Sequence, residues 1–159
     1  MNTTNEAVFD SEKDLKSFVD ANRSKLFGDE IEWIRDRNLP GEFQGKVKPD
    51  LLGKCKAGNY IYTIVEIKFV SDGIERSDDN SYRLSRLVVG QSLHYLCALM
   101  KKVLPEMEFT ENVFANMSAL VKLFIVTDIH AQPLENMCNL LKANGFQIEY
   151  IDASSHLEV

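Results

Sequence analysis

Cysteine is scarce: Cys55, Cys97 and Cys138 are the three in the chain, widely spaced and without a CxxC pair. An odd number at such spacings argues against a disulfide framework and a structural zinc site, and it fits the reducing cytoplasm. Cys97 and Cys138 fall on apolar faces of expected helices and read as core residues. No apolar run reaches the roughly 18 residues that would span a membrane, so no transmembrane helix is expected. The opening Met1–Glu6 has neither a basic nor an apolar region, so no signal peptide is expected there. A Gly-rich phosphate loop, a nucleophile elbow and a His-rich cluster are also missing, which removes support for a metal-free small-molecule enzyme.

Positive charge is in deficit as well. Lys and Arg number 18 against 24 Asp and Glu, a net charge of −6, and the pI is near 5.1. A stand-alone duplex-DNA binder is usually basic, because contacts from Lys and Arg to phosphate drive its affinity. Acidic metal ligands lower the pI, however, and a bound cation changes the local charge. Such a balance argues against a stand-alone duplex-DNA binder. With 159 residues, 45% of them hydrophobic, the chain suits a single domain spanning 1–159 around one core.

Along the chain, Ser11 offers an N-cap with an acid, Asp14, three residues on, and Leu15, Phe18 and Val19 follow at helical spacing. Residues 11–22 therefore read as an amphipathic helix with Glu12 in its first turn, and Leu26-Phe27-Gly28 as a closing turn. Ile31 to Arg35 reads as a short strand and Gly45 to Leu52 as a second one, carrying Asp50 near its end, with a turn over Gly53–Asn59. Tyr60 to Val70, rich in β-branched and aromatic residues, is the central strand, and the three form an antiparallel meander. Ser71 to Tyr82 is a polar, exposed loop. Tyr82 to Leu104 is the longest helix, with an apolar stripe through Leu84, Leu87, Val88, Leu96, Leu99 and Val103, ended by Pro105. Residues 106–117 are a mixed linker. Ala119 to Thr127 is a fourth strand, and Pro133 to Asn144 a helix with Met137, Leu140 and Leu141 on its apolar face and Gly145 as its cap. Phe146 to Ile151 is the last strand, and Ser154–Val159 is expected to fray. Long strands after helices imply parallel crossovers.

Chemistry concentrates between Lys48 and Val70. Glu66 and Lys68 are set two apart in an apolar strand, so they emerge side by side on one face. Burying them costs several kcal/mol unless something compensates. Pairing with the preceding segment brings Asp50 to the same point. Two carboxylates and an ammonium then converge, an arrangement suited to a divalent cation. In the long helix, Gln91 and Tyr95 are four apart and share a face, either as a satisfied polar contact in the core or as part of a site. His94 points about 100° away from its neighbours and reads as a surface or packing residue.

Pro49-Asp50 and Glu66-Ile67-Lys68, with fifteen residues between Asp50 and Glu66, resemble the signature of the PD-(D/E)xK nuclease superfamily. Glu12 in an N-terminal helix and the Gln91-x-x-x-Tyr95 pair in the helix after the strand match two further elements, in the right order. The resemblance implies an α/β fold with a restriction-endonuclease-like core, α-βββ-α-β-α-β, a mixed central sheet flanked by helices. It also implies a Mg²⁺-dependent nuclease acting on DNA, with Mn²⁺ able to substitute. Asp50, Glu66 and the backbone carbonyl of Ile67 would bind the metal, and Glu12 a second cation or a metal-bound water. Lys68 would position the attacking water and stabilise the transition state as an electrostatic clamp. Gln91 would steady the metal site and Tyr95 contact the nucleic acid. Arg76, Arg83 and Arg86 are candidate phosphate contacts. A catalytically silent or partner-dependent binding module, or a homodimer, is the alternative.

Overall fold

The computed structural model describes residues 8–35, 48–56, 62–71, 90, 91, 94, 95 and 121–157. The expected residues 82–89 and 96–104 of the long helix, the linker after it, Cys97, and Arg76, Arg83 and Arg86 lie outside them.

The first helix, α1 (Glu12–Ala21), starts where Ser11 accepts a hydrogen bond from the Asp14 amide, satisfying one of the donors a helix start leaves open. Its buried residues, Leu15 and Val19, are four apart and face the sheet. A second short helix, α2 (Arg23–Phe27), follows where the sequence suggested only a turn, and it buries Leu26 and Phe27. It ends at Gly28, whose φ of 93° an L side chain rarely adopts.

The strands are β1 (Ile31–Trp33), β2 (Leu51–Cys55), β3 (Tyr62–Lys68), β4 (Val121–Thr127) and β5 (Ile148–Asp152), in the spatial order of the chain. β1, β2 and β3 form the expected antiparallel meander, and β3, β4 and β5 run parallel. This is a mixed α/β sheet.

Successive residues of β3 divide two cores. Ile64 points into a cluster with Leu52, Tyr95, Leu123, Ile125, Leu134, Cys138 and Ile148. Val65 and Ile67 point the other way, into a cluster with Leu15, Val19, Phe27, Phe124 and Val126. Helices thus cover both faces, which is why β3 and β4 are apolar on both sides rather than alternating.

Several boundaries differ from the sequence reading. β2 begins after Asp50 rather than ending near it, and Gly53 lies inside the strand, paired with Trp33 and Thr63. A side chain at Gly53 would collide with Ile31 and Trp33, so this glycine serves close packing and not a turn. α3 spans Gln132–Ala143 and buries Leu134 and Cys138, with Met137 and Leu141 partly buried. Leu140 is 62% exposed, so it does not belong to the apolar face. The expected frayed end is ordered through 156: Ala153–His156 form a 3₁₀ turn capped by Asp152, Ala153 is fully buried, and the His156 carbonyl accepts from Lys25 at 3.1 Å.

Candidate functional site

In the β2–β3 ladder Leu52 faces Ile64 and Leu51 faces Val65. Continuing that register by one residue sets Asp50 opposite Glu66. The Ile67 amide donates to Asp50 Oδ2 at 2.7 Å, so the carboxylate is held at the sheet by a charge-assisted bond. The other oxygen, Oδ1, lies 3.1 Å from Lys16 Nζ, reaching in from α1.

Glu66 is 3% exposed, and its Oε1 lies 3.2 Å from Lys68 Nζ, two residues along the strand. Strand periodicity therefore delivers the adjacency expected for this pair. Glu66 Oε2 is buried and has no hydrogen-bond partner among the described residues. Burial, reinforced by the charge of Asp50 and opposed by Lys68, pushes the Glu66 pKa up to about 7. A buried carboxylate with an oxygen lacking a partner among the described residues is costly to the fold, and carboxylates perturbed in this way cluster at functional sites.

Gln91 and Tyr95 are helical, one turn apart. Tyr95 is 3% exposed, and its pKa is pushed up to about 12 by burial and then by the charges of Glu66 and Asp50, which places its phenol in their field. It therefore stands as a neutral hydroxyl. The Gln91 Oε1 atom is buried and, like Glu66 Oε2, accepts no hydrogen bond among the described residues. His94 is exposed and makes an edge contact with the Tyr95 ring, as its helical position suggested.

Glu12 reaches the site indirectly. Its side chain is 57% exposed, and it meets Lys16 at 3.2 Å, so the Lys16 ammonium bridges Glu12 and Asp50. Burial lowers the Lys16 pKa, but the charge and hydrogen bond of Asp50, with those of Glu12, outweigh it and raise the pKa overall. Among the described residues no group of three His, Cys, Asp or Glu side chains converges as a metal cage. The oxygen donors the ladder brings together are the carboxylates of Asp50 and Glu66, a hard pair that suits Mg²⁺, which needs only one or two carboxylates.

The sequence reading missed Lys16, although its spacing of four from Glu12 is the signal that pairs them on one helix face. It also missed Asp128. This fully buried carboxylate accepts from the Val70 amide at 2.5 Å, from the Ser71 amide at 3.3 Å and from the Ser71 hydroxyl. It fixes the chain where it leaves β3, two residues after Lys68.

No family model, no curated protein and no solved structure matches the chain.

Proposed function

We propose that the chain is a metal-dependent nuclease of the PD-(D/E)xK type, with a restriction-endonuclease-like core, hydrolysing phosphodiester bonds in DNA. The observation that carries this reading is Glu66. A carboxylate 3% exposed, with one oxygen on Lys68 and the other without a hydrogen-bond partner among the described residues, lies one register step beyond the β2–β3 ladder, opposite Asp50. Such an arrangement weakens the apo fold and suits a divalent cation. The meander followed by parallel strands also agrees with the expected core.

Asp50, Glu66 and the Ile67 backbone carbonyl are the groups that would hold Mg²⁺ or Mn²⁺, with Glu12 for a second cation or a metal-bound water and Gln91 to steady the site. Bound there, the ion supplies Lewis-acid polarisation and neutralises phosphate charge. Asp50 is pre-oriented by the Ile67 amide, so one oxygen is fixed while the other faces Lys16. Lys68, anchored by Glu66 and 25% exposed, is the ammonium that would stabilise charge building on a reacting phosphate. Tyr95, held neutral, serves as a hydrogen-bond donor rather than as a base.

One observation favours a partner-dependent form: the Lys16 ammonium lies on Asp50. The test is cleavage of supercoiled plasmid, linear duplex, single strand and a four-way junction with Mg²⁺, Mn²⁺ or EDTA, beside Lys68→Ala. Metal-dependent cutting that is lost in Lys68→Ala supports the nuclease. Mn²⁺ binding without cutting of any substrate supports the partner-dependent form, and absence of both sinks the reading.

A further inference from the structure

A cleft of about 690 Å³ opens beside Asp50, between α1, the end of β1 and the approach to β2. Lys16, Arg23, Arg35 and Lys48 line it, against two carboxylates, Asp20 and Asp50. The whole chain carries −6, so the cleft reverses the sign of the molecule beside the candidate site. Cations gathered in a concave place attract polyanions and raise their local concentration.

The second feature is aromatic. Trp33, the sole tryptophan of the chain, lines the same cleft. Its ring packs closely over Gly53, where a Cβ would come within 3.1 Å of it, and makes an edge contact with Phe27 at 5.6 Å. The Arg23 guanidinium lies over it, 5.2 Å from the ring centroid, and is itself held by Asp20 at 2.6 Å. Aromatic rings and arginine planes together are platforms on which unpaired bases stack.

We propose that this cleft is the docking site for a single nucleic-acid strand, which it delivers to Asp50. The phosphates lie along Lys16, Arg35 and Lys48, and a base rests on the Arg23–Trp33 platform. A duplex is disfavoured because its base faces are stacked on one another and unavailable to the Arg23–Trp33 platform. The inference takes its ligand class from the nuclease reading and narrows it to unpaired strands.

The test separates the two. The full chain is titrated in EDTA, where no metal-dependent cutting occurs, with a labelled oligothymidylate of about 12 nucleotides, within the site sizes of single-strand binders, and with a duplex of equal length. Trp33 fluorescence reports directly on the cleft, and anisotropy on affinity. Expected are quenching by the single strand and binding at least tenfold tighter than to duplex. Arg35→Ala and Lys48→Ala should each weaken binding and reduce the salt slope by about 0.7. Trp33→Leu should cost about tenfold or more, with the double variant Arg35→Ala/Lys48→Ala as a surface change that leaves the core intact. Unchanged Trp33 fluorescence, equal affinity for duplex, or a salt slope unmoved by Arg35→Ala would each overturn the proposal. Strand binding through the cleft with neither cutting nor Mn²⁺ binding would overturn the nuclease reading alone. Cutting abolished by Lys68→Ala, with binding indifferent to Arg35 and Lys48, would overturn the cleft alone.

Discussion

The Lys16 ammonium stands 3.1 Å from Asp50 Oδ1 and 3.2 Å from Glu12 Oε1, so a cation of the chain itself occupies the approach to the candidate metal ligand. Lys16 and a divalent ion would contend for the same oxygen. The lysine side chain is 43% exposed, which limits the strength of its pair.

Replacing Lys16 with methionine removes that contender and keeps the stem. Partly exposed ion pairs are worth about 0.2 to 1 kcal/mol, so Lys16→Met should tighten Mn²⁺ binding about two- to fivefold by titration calorimetry. Weaker binding would mean that Lys16 supports the ion's site instead of competing for it.

Glu66 should make the metal-free protein less stable as pH rises. Its folded pKa of about 7 exceeds the ordinary value of 4.5, so between these the folded state holds more protons than the unfolded. Stability is then fully present below about 4.5 and is lost as pH passes 7. At roughly 1.4 kcal/mol for each pH unit the loss is about 3 kcal/mol. Denaturant unfolding in EDTA should show wild type losing this stability relative to Glu66→Gln, and at pH 8 the variant should be the more stable. A difference independent of pH would show that Glu66 titrates normally.

Lys68 opposes the rise in the Glu66 pKa by charge and hydrogen bond. In Lys68→Met the pH at which Glu66 titrates should therefore move above 7, visible in the same unfolding series. Metal-dependent cutting should fall by at least about a hundredfold. Normal cutting with a shifted titration would confine Lys68 to a structural role.

Asp128 should matter to stability more than its place in a turn suggests. Asp128→Ala leaves the Val70 and Ser71 amides without their acceptor. Bonds to charged groups contribute about 1.5 to 3 kcal/mol each in favourable cases. A loss of about 2 to 4 kcal/mol in urea unfolding is expected, with Asp128→Asn intermediate. A change below about 0.5 kcal/mol would show that these bonds are replaced by water.

What the sequence determined by itself was local and periodic. Alternation in β3 set Glu66 beside Lys68, and the residues either side of it defined two apolar faces. Ser11 and the i,i+4 pair Leu15 and Val19 defined α1, and the order of apolar runs set the meander and the parallel crossovers. Each depends on side-chain direction along one element, which repeats at 2.0 or about 3.6 residues whatever lies elsewhere.

Only the tertiary structure decided the rest. Asp128 meets Val70 across 58 positions and Asp50 meets Ile67 across 17. Lys16 reaches Asp50 because α1 packs on the face of β3 that carries Val65 and Ile67. Gly53 reads as a turn until Ile31 and Trp33 are seen above it. The Trp33 cleft draws on α1, α2, β1 and the approach to β2. Contacts of this kind depend on how elements dock, and no spacing within a single element encodes them.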